Sequence, residues 1–269
     1  MTVGIDIGST ATKAVLIKNR SSLLFLKTKA KADDSVSSAS GVLGKLIAEN
    51  EININAINKI KLTGVGASAV PDFLLGIAVE KVKEIDAIGT GAMLITGREN
   101  IIVANIGTGT ALVEAGKDSI THLGGTGMGG GTILGLGKKL LGLSRFTDIM
   151  ELAEKGDLSH VDLLLEDVTA NNLGFLNRKA TASNFAKMLD TATDADIAFG
   201  IVSMVYQVIG TVAVFAAKSL SADRVIVTGN GSNNCIGKSI LSEIAKLYFI
   251  DFEYPENAEY ATALGAGLL

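Results

Sequence analysis

Apolar runs and polar punctuation divide the chain into two stretches that open with the same rhythm. Val3–Ile7, Ala14–Ile17 and Leu23–Lys27 are short, largely apolar runs, with turns at Gly8-Ser9-Thr10 and Asn19-Arg20-Ser21. They predict three strands in a meander. Val36, Ala39, Leu43, Leu46 and Ile47 then recur at helical spacing. Ile60–Thr63 predicts a fourth strand, ended by Gly64-Val65-Gly66; Leu74–Val82 is ambiguous, and Ala87–Thr96 is helical.

The rhythm then restarts. Ile101–Ile106, Ala111–Ala115 and Ser119–Leu123 predict three more strands. A Gly-rich loop over Gly124–Gly131 feeds a helix over Thr132–Leu141. Met150–Glu154, Ala182–Leu189 and Ile197–Lys218 read as helices, Arg224–Thr228 as a buried strand, and Ile236–Leu247 and Ala258–Leu269 as closing helices. The expected architecture is a duplicated α/β fold with two lobes around a cleft. The first lobe covers residues 1–100 and the second 101–269, with the last helix able to pack back on the first lobe.

Composition narrows the function classes. Apolar residues make up 48% and charged residues 19%, which argues for packed cores and against disorder. The net charge of −4, without a Lys/Arg block, argues against nucleic acid as a partner. A single cysteine, Cys235, excludes an internal disulfide framework and a multi-cysteine metal site, and fits a reducing compartment. The N-terminus has no basic segment followed by an apolar one, so no signal peptide is expected. Ile197–Ala217 holds no charged residue and is long enough to span a bilayer. Its Gly, Ser, Tyr, Gln and Thr residues, and the ordinary polarity elsewhere, favour a buried helix and no membrane.

Four motifs carry chemistry. In Gly4-Ile5-Asp6-Ile7-Gly8-Ser9-Thr10-Ala11-Thr12-Lys13, a buried strand delivers Asp6 to a tight turn. Gly8 lets backbone approach a phosphate, Ser9 and Thr10 offer hydroxyls, Lys13 adds a positive charge, and Asp6 is a candidate Mg²⁺ ligand. Asn105-Ile106-Gly107-Thr108-Gly109-Thr110 repeats the device about a hundred residues later. Two such hairpins predict a phosphate clamp between the lobes, with Thr108 opposite the first turn. Gly124-Gly125-Thr126-Gly127-Met128-Gly129-Gly130-Gly131-Thr132 predicts a backbone-amide anion site ahead of a helix. A dinucleotide fold is rejected because no acidic residue closes a second strand about twenty positions on. Thr228-Gly229-Asn230-Gly231 follows a buried strand and predicts backbone set against an adenine or ribose, through Gly229 and Asn230.

These motifs resemble, in order and over nearly the whole chain, the type II pantothenate kinases (fumble-type) of the actin/hexokinase/Hsp70 (ASKHA) superfamily. Further matches are Leu62-Thr63-Gly64-Val65-Gly66-Ala67, Glu84-Ile85-Asp86-Ala87, Ala153-Glu154-Lys155-Gly156-Asp157, Thr181-Ala182-Ser183-Asn184-Phe185 and Ala263-Leu264-Gly265-Ala266. The resemblance implies an actin-like, ribonuclease H-like fold and a cytoplasmic homodimer using the long apolar helix. It implies phosphorylation of pantothenate by ATP with Mg²⁺, at the start of coenzyme A synthesis. It makes Glu84 the general base. It sets Gly129, Gly130, Gly131 and Gly135 on the nucleotide together with Phe146, and Thr63, Gly64, His122, Gly124 and Gly125 on the acceptor. Relatives place an arginine where this chain has His122, and a neutral imidazole is a weaker partner for the pantothenate carboxylate. A structural histidine on a strand is the alternative reading there.

The first motif is also very like the ATPase activators of 2-hydroxyacyl-CoA dehydratases. Their bridging [4Fe–4S] cluster needs four thiolates, two from each subunit; this sequence offers one. A non-catalytic ATP-binding metabolite sensor is a further alternative, which would keep the phosphate loops and need no Glu84.

Overall fold

The computed structural model describes residues 1–18, 22–31, 33–169 and 177–269. The expected turn at 19–21 lies outside the described residues. The first half runs β1 (Thr2–Ile7), β2 (Ala11–Lys18), β3 (Ser22–Lys29), α1 (Ser35–Glu49), β4 (Lys59–Thr63), β5 (Phe73–Leu74), β6 (Ile77–Lys81) and α2 (Glu84–Thr96). The second runs β7 (Ile101–Ile106), β8 (Thr110–Ala115), β9 (Ile120–Thr126), α3 (Gly130–Leu141), α4 (Phe146–Ala153), β10 (Leu163–Leu164), α5 (Leu165–Val168) and β11 (Thr181–Ser183). It closes with α6 (Asp194–Ser219), β12 (Arg224–Thr228), α7 (Cys235–Tyr248), β13 (Asp251–Glu253) and α8 (Ala261–Leu268).

The two main sheets share one topology. Their strand orders are β3-β2-β1-β4-β6-β5 and β13-β12-β7-β8-β9. In each, an antiparallel hairpin (β1–β2, β7–β8) carries a parallel strand (β4, β12) on its other side. The central strands read as unbroken apolar runs because helices cover both faces. α1 buries Val42, Leu43 and Leu46 against Val3, Ile5 and Ile60. α8 covers the opposite face through Ala263 and Leu264 on Val15 and Ile17. On the second sheet, α2 packs Ile88 and Ala92 against Val103, Val113 and Ile226. The other face carries α3, α4, α6 and α7.

α2 and α8 therefore lie between the sheets, and they cross backbone to backbone. A Cβ on Gly91 would fall 1.8 Å from the Ala261 carbonyl oxygen, and one on Gly265 would fall 1.9 Å from that of Ala87. This close crossing sets the depth at which the first turn of α2, and hence Glu84, meets the cleft.

The charge-free segment forms most of α6, with Ile201, Val205, Tyr206 and Ile209 in the core. By length and composition α6 is apolar enough to cross a membrane. A capping box of Thr193 and Asp196 starts it. Burial pushes the Asp196 carboxyl up, but the Thr193 and Asp157 amides, His160 and the Thr193 hydroxyl outweigh it and hold the group far below the usual carboxylate range.

Three expected elements differ from the structure. Ala182–Leu189 is not a helix: β11 ends at Ser183 and turns follow, with Phe185 at φ 57° and Met188 at φ 23°. The cause is Asp162, fully buried, whose carboxylate accepts from the Thr181 hydroxyl at 2.8 Å and the Phe185 amide at 2.9 Å. The ambiguous Leu74–Val82 contains the end of β5 and β6, which runs parallel to β4. Gly124 and Gly125 belong to β9, so the Gly-rich loop shrinks to Gly127–Gly129 before α3.

Candidate active site

β1 ends at the cleft with Asp6, and the hairpin register sets Lys13 directly opposite it. Lys13 Nζ lies 3.3 Å from Asp6 Oδ2, and both side chains are buried. The parallel strand β4 brings Thr63 beside Asp6. The chain then turns at Gly64, at φ +89°, a conformation that L side chains rarely adopt. A Cβ there would also sit 2.6 Å from both Asp6 Oδ1 and the Ile7 carbonyl oxygen. The Thr63 hydroxyl is buried without a hydrogen-bond partner, a cost that a ligand would remove.

Glu84 opens α2, where the positive end of the helix favours an anion. The residue is open to solvent on one side. The surrounding walls still push its carboxyl above the usual range; the negative charge of Asp6 adds to this, and Lys13 partly offsets it. Glu84 thus lies within electrostatic reach of the Asp6–Lys13 pair.

The second hairpin repeats the geometry without the charges. Asn105 stands opposite Ala111 and beside Thr228, whose hydroxyl donates to Asn105 Oδ1 at 3.0 Å. The following Gly229 has φ +78°, and a Cβ there would meet the Ile106 carbonyl oxygen at 2.5 Å and Asn105 Oδ1 at 2.8 Å. The two hairpins meet across the cleft, where the hydroxyls of Ser9 and Thr108 are hydrogen-bonded to each other. Gly8 closes its own turn, its amide donating to the Ala11 carbonyl at 3.1 Å.

The Gly-rich loop differs in detail from the expected amide cradle. The amides of Gly130 and Gly131 already donate to the carbonyls of Gly107 and Thr108, at 2.9 Å each. Gly129 packs so closely that a Cβ would lie 2.5 Å from the Thr108 carbonyl oxygen. These glycines lock the loop onto the second hairpin. The groups facing the junction are the half-buried Ser9 and the exposed Thr10 and Thr108.

Beside the junction lies a cavity of about 260 Å³, with Thr10, Gly107, Gly129 and Gly130 lining it on the side of the two hairpins. Phe146, Ile133, Leu134 and Val205 form its apolar wall, joined by Tyr206 and Asn230. The Tyr206 hydroxyl donates to the Gly231 carbonyl at 3.0 Å, and Asn230 Oδ1 is buried without a partner. Gly135 is not on this wall; it lies on α3 with open space around its Cα. Tyr206 and Lys27 do line it, although sequence reasoning missed both. Tyr206 was hidden in a charge-free core helix, and the available signal for Lys27 was its strand position opposite Lys13.

On the second sheet's edge, His122 is exposed on β9. It lies two residues from Ile120, and so on the same strand face, and Ile120 packs against Gly89 of α2. A bulge shifts the register so that Val113 faces His122 and Leu112 faces Gly124, which adopts φ +136°. Gly125 lies close to the Thr110 carbonyl, where a Cβ would approach to 2.3 Å.

This duplicated frame is the actin-like ATPase fold. It is similar to the activator of 2-hydroxyisocaproyl-CoA dehydratase from Clostridium difficile with bound ADPNP, with TM-score 0.67, 20% identity, and coverage of 99% of this chain and 92% of that one. It is likewise similar to a ROK family glucokinase from Streptomyces griseus in complex with glucose and AMPPNP, with TM-score 0.66, 12% identity, and coverage of 99% and 97%. Within that fold class, a Fumble family model matches residues 100–249, and the chain belongs to the Fumble family. Its curated relatives include the type II pantothenate kinase of Bacillus anthracis, 29% identical over 91% of this chain and 88% of the relative. The type II pantothenate kinase of Staphylococcus saprophyticus is 26% identical over 99% of each.

Proposed function

We propose that the protein phosphorylates pantothenate with Mg·ATP, the reaction that opens coenzyme A synthesis. The observation that carries this reading is the buried Asp6–Lys13 ion pair, with Glu84 at the start of α2 within its electrostatic reach, beside two hairpins whose hydroxyls meet across the cleft. The apolar cavity takes the nucleoside, and its Gly107 and Gly129 end takes the phosphates. Glu84 accepts the proton of the primary alcohol as the oxygen bonds to the γ-phosphorus and ADP departs. The alcohol must be held in line, so positioning supplies much of the rate.

Asp6 suits Mg²⁺: one carboxylate is enough for an ion that keeps waters and phosphate oxygens, and the unpartnered Thr63 hydroxyl lies beside it. Bound there, Mg²⁺ would neutralise phosphate charge. Lys13 orients the Asp6 carboxylate through its hydrogen bond at 3.3 Å. The same reading includes a homodimer built on α6.

A coupled ADP-release assay with pantothenate, pantetheine and a panel of sugars tests the acceptor. Pantothenate-dependent ADP release is expected; release with a sugar alone overturns the substrate. His122→Ala should raise the pantothenate KM, and His122→Arg should lower it by offering a carboxylate fork. The activator alternative shares this fold. It requires iron bound to the purified protein, and the single exposed Cys235 gives a homodimer half the thiolates it needs.

A further inference from the structure

The nucleoside cavity has one charged side chain on its wall among the described residues, and it is a cation, Lys27. Lys27 stands on β3, opposite Lys13 in register and therefore on the same face of the sheet. Its ammonium is hydrogen-bonded to the carboxylate of Glu259, which is not on the cavity wall. Lys27 is 40% exposed and Glu259 16%. The carboxylate is therefore the more fixed partner, and the lysine, on its flexible stem, the one free to move.

Glu259 belongs to a short 3₁₀ turn, Ala258–Tyr260, that leads into α8. Each residue of that turn holds a different element. The Ala258 carbonyl accepts from the Gly229 amide at 3.1 Å, in the loop that supplies Asn230 to the cavity. Glu259 holds Lys27. The Tyr260 ring packs on Phe25 of β3 at 5.1 Å between centroids. Three consecutive residues thus clasp the first sheet to the nucleoside loop of the second half.

We infer that Lys27 is a nucleotide-phosphate ligand, and that a nucleoside di- or triphosphate takes it by displacing Glu259. This rests on the cavity being the nucleotide site. Thr10 and Gly107 mark the phosphate end of the cavity, and Lys27 is the ammonium on that wall. A nucleotide phosphate offers the part-exposed Lys27 ammonium a more highly charged partner than the Glu259 carboxylate. The displacement opens one of the three links of the clasp, so nucleotide occupancy and lobe tethering become one equilibrium.

Calorimetric titration of the full chain with ADP and with adenosine tests the assignment. Lys27→Met should weaken ADP about tenfold and leave adenosine unchanged, as expected for one lost charge-assisted contact. Lys27→Arg should stay near the parent, and Glu259→Gln should tighten ADP roughly threefold by freeing the lysine. Melting temperatures close to the parent's verify that the variants are folded. Equal ADP affinity in Lys27→Met and the parent, or parallel weakening of ADP and adenosine, overturns the phosphate role. Weaker ADP binding by Glu259→Gln overturns the displacement. A parent that binds neither ligand overturns the nucleotide reading of the cavity, and Lys27 with it.

Discussion

The two hairpins are built to one plan and carry different chemistry. Asp6 and Asn105 occupy the same place in their sheets, each beside a Thr-Gly pair on a parallel strand. Gly64 and Gly229 make the same positive-φ turn against the same two neighbours, the carbonyl and the polar side chain of the preceding strand's end. Further on, Gly66 lies against Ile7 as Gly231 lies against Ile106. The frame is duplicated down to individual contacts. The charge is not: the first hairpin holds an ion pair with Glu84 nearby, whereas the second holds a neutral Asn–Thr hydrogen bond. Such a frame needs only the backbone and glycine, so its polar side chains are free to diverge. One half assembles charge, and the other presents a neutral hydrogen bond.

Exchanging the two polar residues breaks this comparison most sharply. Asp6→Asn leaves Lys13 buried without its counter-ion and should cost about 3–5 kcal/mol, read by urea unfolding. Gly64→Ala and Gly229→Ala should each cost on the order of 1–3 kcal/mol or more, from the positive φ and the blocked Cβ, and by similar amounts. Unequal losses would show that the turns are not equivalent. Asn105→Asp keeps the acceptor for Thr228 and adds a negative charge next to the phosphate end. If the proposed nucleotide site is right, it should weaken ATP by about tenfold with little change in unfolding free energy.

Much of the fold is legible in the sequence because both central sheets are covered on each face, so their strands appear as continuous apolar runs. The duplicated order follows from recognising the second Gly-Thr hairpin. What stays hidden depends on contacts distant in sequence. Ala182, Phe185 and Leu189 have helical spacing, but Asp162, some twenty positions earlier, draws Thr181 and the Phe185 amide into an irregular turn. β13 is only three residues long and is defined by pairing with β12. The glycines of the loop before α3 look like free anion donors until their carbonyl partners on Gly107 and Thr108 are seen. Asp6 and Lys13 are close in sequence and legible as a pair. Glu84 joins them only through the family resemblance, since Glu80-Lys81-Val82-Lys83-Glu84 alone reads as a solvated surface.

The most direct test of the account is phosphoryl transfer to pantothenate by Glu84→Gln, measured beside ATP binding and the parent's pH profile. The account predicts a fall in turnover of about 10²–10⁴-fold with ATP affinity kept. Because the base must be ionised and its carboxyl is raised, the parent's activity should be lost as pH falls through a value above the ordinary glutamate range. Glu84→Gln turning over pantothenate at the parental rate would contradict it.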